Sequence, residues 1–427
     1  METSERAGGP GPIDDSMNWA GSHRYSAQRI HHPMSIDEAR WLVAGTPRIR
    51  AFGARHTFTA IPDCEGGELL TLRDVPVDLV VDPRASQVTV GANATYSVVA
   101  AELERAGYAL HNLASLPQIT VFGACATGTH GSGDRNRTLA TAVSALELIL
   151  PDGSLHTVRR GEPDFDGMVV SLGYAGIVTR VTLDLQPSFQ VRQRVYRGLP
   201  WSEVEPHFDD LSRQAYSMSF FLSWQGDAVE QVWMKTLASE PALPDQLFGS
   251  SVDAGDNRLA ILEGDNMTPR DGTPGPWSER LAHFKVDGLA MAGNELQSEY
   301  FVARRDAIGA LLAVRRLAED IAPHLRVTEI RTVAGDGLWL SPMYERDSVG
   351  IHFTWLREPE AVRAILPKIE AALAPFQPRP HWGKVFTVDG ASVRSRYPKL
   401  SRFLELVRRL DPDGKFQNDF FRGYLAG

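Results

Sequence analysis

The sequence predicts a mixed α/β protein of two domains, and three observations carry that reading. The chain has 427 residues, beyond the usual size of a single hydrophobic core. Segments with helical apolar spacing are interleaved with short alternating segments bounded by glycine, proline and aspartate. Near Pro187 the texture changes from short strands to longer alternating strands and amphipathic helices, which sets a domain boundary there.

The first 16 residues are rich in Gly, Pro and acid and are expected to be disordered. Ser35-Ile36-Asp37-Glu38 has the form of a capping box, and Ala39, Leu42 and Val43 supply the apolar stripe behind it. Arg48 to Phe52 reads as a strand running into a turn at Gly53. Further strands are predicted at Leu69–Leu72, Val77–Val81 and Gln87–Val90, then a helix from Tyr96 to Ala106 closed by Gly107. Ala142–Leu150 and Leu155–Val158 flank Pro151-Asp152-Gly153-Ser154, the pattern of a hairpin, and Val178–Leu185 alternates again. Beyond Pro187 come strands at Ser217–Trp224 and Gln231–Lys235, helices at Arg304–Ile321 and Pro359–Leu373, and an Asp-, Gly- and Pro-rich loop at 251–279. No internal repeat is visible.

Composition excludes several classes. Forty-four basic against 53 acidic residues leave a net charge of −9, a poor balance for gripping a phosphate backbone, so no nucleic-acid partner is expected. Two cysteines, Cys64 and Cys125, make neither a disulfide framework nor a cysteine-rich metal site. No apolar run approaches the roughly 20 residues of a membrane span, and the N-terminus lacks the apolar core of a signal peptide. A soluble, cytoplasmic, monomeric protein without a metal is the expectation. A Walker loop, a His-Glu-x-x-His zinc helix and a Gly-x-Ser-x-Gly elbow are all missing. The glycines of Gly128-Thr129-His130-Gly131-Ser132-Gly133 have the wrong spacing for a dinucleotide fingerprint.

The residues that remain are grouped. GARHTF at 53–58 and GACATGTHGSG at 123–133 are glycine-bearing loops whose backbone N–H groups can approach an anion, with Thr127, Thr129 and Ser132 as added donors. They read either as a phosphate cradle or as a pair of ordinary turns. His56 and His130 lie one in each loop. In Val327–Val333 the two-residue period puts Glu329 and Arg331 on one face, and His352 and Thr354 share a face in Ile351–Trp355. These are either a solvated sheet face with surface ion pairs or the wall of a polar pocket for a hydroxylated ligand. Lys384 sits among aromatic and aliphatic neighbours, where burial would lower its pKa toward that of a working base; exposure is the ordinary alternative. Cys125 reads as a small buried loop residue.

Taken in order, these segments resemble the alditol oxidases, with the xylitol and sorbitol oxidases, of the vanillyl-alcohol-oxidase-type FAD superfamily. NWAG at 18–21, GARHTF, and NLASLPQITVFGACATGTHGSG at 112–133 carry the resemblance. It continues through SLGYAGIVTRVTLDL at 171–185, PGPWSERLAHF at 274–284, ELQSEY at 295–300 and EIRTVAGDGLWLSP at 329–342. HFTW at 352–355, RPHWGKVFTV at 379–388 and LDPDGKFQNDFFRG at 410–423 complete it. The resemblance implies an α+β fold: a two-part FAD-binding domain (17–187, rejoined by 390–427) and a substrate domain (188–389) with a large antiparallel sheet flanked by helices. It implies FAD joined covalently to His56, with further contacts from Ala51, Phe52, Gly53, Ala54, Arg55, Thr57, Ser115, Thr120, Gly123, Thr127, Gly128, Thr129, His130, Ile177 and Lys384.

By the same resemblance the substrate polyol meets Ser115, Glu329, Arg331, His352 and Thr354, with Lys384, Arg331 and Glu329 as the catalytic set. The implied reaction oxidises a terminal primary alcohol to the aldose, with hydride passing to flavin N5 and dioxygen reduced to hydrogen peroxide. Two alternatives stay open: a sugar-lactone dehydrogenase of the same superfamily using another electron acceptor, and a flavin- or polyol-binding protein without turnover. Arg55 stands where members often carry a small residue, and Thr57 where serine is common; Cys125 is not expected to form a second flavin linkage.

Overall fold

A computed structural model of the chain describes residues 15–253, 266–288 and 295–427. Most of the segment expected to be disordered, and part of the Asp-, Gly- and Pro-rich loop, lie outside the described residues. Asp15 and Ser16 are described and held: Asp15 pairs with Arg73 at 2.9 Å, and Ser16 O accepts from the Tyr25 N–H.

In the N-terminal half the helix Ile36–Gly45 starts as its sequence predicts. Ser35 Oγ accepts from the Glu38 N–H, and the Glu38 carboxylate accepts from the Met34 N–H at 2.8 Å. Its buried Ala39 and Val43 pack with Ile49, Leu70, Ile149 and Ile177. Three short parallel strands, Arg29–His31, Glu68–Leu70 and Ile49–Ala51, lie side by side in that order. Beside them a five-stranded antiparallel sheet runs in the order Leu79–Asp82, Gln87–Gly91, Ile177–Asp184, Val143–Ile149, Leu155–Arg159. The last 17 or so residues reach back to this half. Asn418 donates to the carbonyls of Ala60, Ile61 and Asp63, and Lys415 donates to those of Val43 and Pro151.

The other half is built on a ten-stranded sheet whose pairings are antiparallel. Its central strands, in spatial order, are Gln190–Pro200, Ala228–Leu237, Ser217–Leu222, Leu325–Val333, Ser348–Trp355 and Leu296–Ala303. The helices Trp201–Arg213, Ala307–Arg315 and Pro359–Leu373 bury their apolar stripes in the same core as one face of this sheet. Phe353 and Trp355 point into that core, ring over ring at 5.1 Å, and Trp355 Nε1 donates to Ser298 Oγ at 2.8 Å.

Three expectations need correcting. The glycine cluster does not begin as a loop, because Val121–Ala126 forms a short helix. The periodic segment 304–321 breaks into Ala307–Arg315 and Ala318–Ile321. The solvated-face reading of the Glu-Arg and His-Thr strands fails, since every residue of Ser348–Trp355 is buried. Alternation of polar and apolar residues marks two different faces, and here the polar one is covered as well.

Candidate active site

The polar face of the large sheet and the two glycine-bearing segments enclose one cleft, with about 1430 Å³ of empty space counting its open mouth. Its first wall follows the strand Ile49–Ala51. Arg55 takes a left-handed backbone, φ +63°, uncommon for a residue with a side chain and a feature that clusters at functional sites. The turn is tied down by the Trp19 N–H donating to Arg55 O at 2.8 Å and by Arg55 Nη1 donating to Met17 O at 2.9 Å. The next residue, His56, stacks on Trp19 with ring centroids 4.7 Å apart. Among the described residues neither ring nitrogen has a hydrogen-bond partner of good geometry; burial pushes its pKa down to about 4, with the Ala54 backbone pulling the other way. Gly53 and Gly123 close on the same hydroxyl: a Cβ at either would stand 2.3 or 2.6 Å from Thr120 Oγ1.

The opposite wall comes from three adjacent strands in register. Glu299 pairs with His352, and His352 with Glu329, so the three side chains stand in a row across the sheet. Glu299 is the hub. Its Oε1 accepts from Arg331 Nη2 at 2.9 Å and its Oε2 from Lys384 Nζ at 2.5 Å. His130 Nε2 lies 3.2 Å from Oε1 without the alignment of a hydrogen bond, while its Nδ1 meets Gly131 O at 2.7 Å. Lys384 Nζ also donates to His352 Nδ1 at 2.8 Å, which leaves His352 Nε2 to donate to Thr354 Oγ1 at 3.0 Å. Arg331 Nη1 reaches Ser115 Oγ at 3.4 Å, and Glu329 Oε1 accepts from His283 Nε2 at 2.8 Å.

Burial and pairing decide the protonation of this set. Burial opposes charge on Glu299 and Glu329, yet both are held well below the ordinary carboxylate range. Lys384 and Arg331 do this for Glu299, and Arg331 and His283 for Glu329. Burial pushes Lys384 down, with Glu299 pulling the other way. His283 and His352 are pushed down to about 4, again chiefly by burial, so both rings are neutral at pH 7. Two carboxylates thus face the Arg331 guanidinium and the Lys384 amine, whose charge burial and Glu299 pull in opposite directions. This mutual pairing offsets the cost of burying the carboxylates.

Most of the residues expected from the sequence meet here. Phe52 through Thr57, Ser115, Thr120, Gly123, Thr127, Thr129, His130, Glu329, Arg331, His352, Thr354 and Lys384 line the cleft. Three expected cofactor residues do not. Ile177 is buried in the small apolar cluster under the helix Ile36–Gly45, with Ala51 packed against it. Gly128, φ +68°, turns toward Pro342. Glu299, Gln297, His283 and His381 also line the cleft and are additions. The two-residue rule that singles out Glu329 and Arg331 applies equally to Gln297 and Glu299 in Leu-Gln-Ser-Glu-Tyr; His283 carries no pattern of its own. Among the described residues no group of three or more His, Cys, Asp or Glu could hold a metal ion, and no helix is long and apolar enough to cross a membrane.

Comparison with known proteins gives this arrangement a class. Residues 36–159 match the family described as FAD binding domain, and residues 292–424 match D-arabinono-1,4-lactone oxidase. The fold superimposes on a cholesterol oxidase from B. sterolicum with a TM-score of 0.77 at 15% identity, covering 99% of this chain and 100% of that one. The FAD-binding match, together with the relative that follows, makes this an FAD-dependent oxidoreductase of the vanillyl-alcohol-oxidase type. An alditol oxidase from Streptomyces sp. (strain IKD472 / FERM P-14339) is 42% identical over 96% of this chain and 99% of its own. An L-gulono-1,4-lactone dehydrogenase from Mycobacterium tuberculosis is 26% identical over 96% of this chain and 98% of its own. The chain belongs to the alditol oxidase family. The cleft fits FAD on its own geometry: a half-buried imidazole, its two nitrogens buried and without a partner among the described residues, stands in it beside backbone held close by Gly53 and Gly123.

Proposed function

We propose that this protein oxidises the terminal primary alcohol of an alditol such as xylitol or sorbitol to the aldose, passing the electrons to dioxygen as hydrogen peroxide. The carrying observation is the two-sided cleft, with a flavin-type wall from Phe52–Thr57 and Thr120–His130 facing a wall of buried Glu329, Arg331, His352 and Thr354 and half-buried Ser115 and Lys384. Residues 17–187 with 390–427 are proposed to form the cofactor unit and 188–389 the substrate unit, with His56 as the covalent attachment point. FAD, when bound, supplies the two-electron acceptor and its reoxidation by dioxygen.

The chain's own groups do the rest. Lys384 Nζ has its contacts to Glu299 and His352 in two directions and, among the described residues, no partner in the third. A neutral amine donating in those two directions turns its lone pair to the third, which is the geometry of a general base for the substrate hydroxyl. Burial favours that neutral form; Glu299 resists it and so sets the balance. Arg331, fixed by Glu299, can donate a charge-assisted hydrogen bond to the oxygen as it loses its proton. Glu329, Thr354 and Ser115 hold neighbouring hydroxyls. A simple alcohol leaves these buried groups unpaired, and that favours a polyol.

Anaerobic titration of the holoenzyme with xylitol, sorbitol, glycerol and a sugar lactone tests the reading. Bleaching of the yellow colour by a polyol, and peroxide formed in stoichiometric amount under air, are the expected results. Bleaching by the lactone alone, without peroxide, would replace it with the lactone-dehydrogenase reading.

A further inference from the structure

Two lysines serve this cleft, one half-buried and one fully buried, and the protein satisfies them differently. Lys384 makes two side-chain contacts and, among the described residues, keeps one direction open. Lys235, on the strand Ala228–Leu237, is 1% exposed and does not line the cleft. Its Nζ donates to Leu281 O, to Ala282 O at 3.2 Å and to His283 Nδ1 at 3.2 Å. Three acceptors match the three N–H bonds of an ammonium, whereas a neutral amine would turn its lone pair on one of them. Burial pushes the Lys235 pKa down to about 7, with Glu329 pulling the other way, so the ammonium is the form below neutrality. An ammonium on Nδ1 makes that nitrogen the acceptor, so the His283 proton resides on Nε2. Nε2 in turn lies 2.8 Å from Glu329 Oε1.

The imidazole is held in that orientation from every side. The rings of Phe221 and Trp233 stand edge-on to it at 5.5 and 5.0 Å. Its backbone N–H donates to Ser115 O at 3.0 Å. The charged groups that act on it are Lys235 from one strand and Glu329 and Arg331 from another. Among the described residues Glu329 Oε2 accepts no hydrogen bond, and Glu329 lines the cleft.

We propose that Lys235 is a positioning residue for substrate binding: it locks His283 as an Nε2–H donor, which fills Glu329 Oε1 and presents Oε2 as an ionised acceptor for a substrate hydroxyl. The inference rests on the polyol reading given above. Neither Lys235 nor its role carries a signal in the sequence, where Gln231–Lys235 reads only as an alternating strand. Without the ammonium, Leu281 O loses its donor while Ala282 O keeps that of Thr268 Oγ1, and nothing holds the His283 Nδ1 as an acceptor, so the Nδ1–H tautomer becomes accessible. The bare Nε2 lone pair then faces the Glu329 carboxylate, and the acceptor is pushed out of place.

The test compares wild-type and Lys235→Met holoenzyme by anaerobic flavin reduction with xylitol between pH 5 and 6.5, where wild-type Lys235 is an ammonium and His283 is neutral. At pH 6.5 the variant should bind xylitol about tenfold more weakly, roughly the loss of one well-placed hydrogen bond to a charged group, with its limiting reduction rate changed less than threefold. On acidification the variant's binding should recover toward wild type, because a protonated His283 donates from Nε2 whatever its tautomer had been. A loss of purely structural origin would be the same at every pH. Because Lys235→Met can also compromise folding, His283→Gln and His283→Leu form a second arm. Gln keeps an N–H near the Nε2 position and should bind xylitol nearly as wild type, whereas Leu should lose about tenfold. Unchanged binding in Lys235→Met, a pH-independent loss, or equal loss in both His283 variants overturns the proposal. If xylitol fails to reduce the wild-type flavin, the polyol reading fails first and takes this inference with it.

Discussion

Arg331 and Glu299 meet over Gly350. The sheet register sets Arg331 and Phe301 on either side of Gly350, and Glu299 Oε1 crosses to Arg331 Nη2 at 2.9 Å. A Cβ at Gly350 would lie 3.0 Å from that carboxylate oxygen and from the Phe301 ring. The absent side chain thus lets a carboxylate on one strand grip a guanidinium two strands away while its other oxygen holds Lys384.

Glu299→Gln should therefore affect two cations at once. One buried anion would be left for Arg331 and Lys384, and removing one partner of such a cluster commonly costs about 3–5 kcal/mol. A thermal midpoint lowered by several degrees is expected, together with a fall in the flavin reduction rate of about 10- to 100-fold, the weight of one or two charged hydrogen bonds. Stopped-flow reduction and thermal melting of the holoenzyme measure both. A variant that melts early but reduces at the wild-type rate would confine Glu299 to stability.

Lys384→Met isolates the proposed base. Its length is kept and both contacts, to Glu299 and His352, are lost. The flavin should stay bound, with an unchanged oxidised spectrum, while its reduction by xylitol slows by about 10²- to 10⁴-fold, the usual worth of a positioned base. Wild-type anaerobic bleaching in this variant would remove Lys384 from that role.

How far the sequence alone reaches is visible at these same positions. The strand Ser348–Trp355 is legible because its alternation is strict, and the period puts His352 and Thr354 together. What alternation cannot say is that the polar face is covered, since a second buried face and a solvated one have the same pattern. Glu299 sits on an equally alternating strand, yet its importance comes from the register that sets it beside His352, and register is a property of strand pairing that no single segment contains. His283 and Lys235 are less legible still. One lies in an irregular segment and the other on a strand next to the wall, and only tertiary packing brings the two within 3.2 Å. Alternation singles out Glu329 and Arg331, apolar neighbours single out Lys384, and the resemblance to a known family points to the same three; their partners in the cleft emerge from geometry.

His56 makes a direct chemical prediction. Both its nitrogens are buried beside the Trp19 ring without a well-aligned partner among the described residues, and burial keeps the imidazole in the unprotonated form that can act as a nucleophile. Acid precipitation of the wild-type protein should carry the yellow colour into the pellet. With His56→Ala the colour should stay in the supernatant, even if the native variant still binds FAD. Colour retained in the mutant pellet would place the linkage on another residue.

Acid should destabilise the folded enzyme through its neutral histidines. His283 and His352 have pKa values of about 4 in the folded protein against an ordinary 6.5. Above pH 6.5 neither state binds these protons, and the folded state keeps its full advantage. Between pH 6.5 and 4 the unfolded chain takes up protons that the folded one refuses, so stability falls as pH falls. Two such groups give a slope of up to about 3 kcal/mol per pH unit in that window. The thermal midpoint should drop steadily from pH 6.5 to 5, a range above the depressed titrations of Glu299 and Glu329. His352→Gln should shed only its own share of that slope, at most about 1.4 kcal/mol per pH unit, because His56, His111, His130 and His381 are also depressed by burial and keep theirs. A midpoint flat across this range, or a slope untouched by the substitution, would mean that the two rings already carry protons in the folded cleft, with the Lys384 and Glu329 contacts rearranged to accept them.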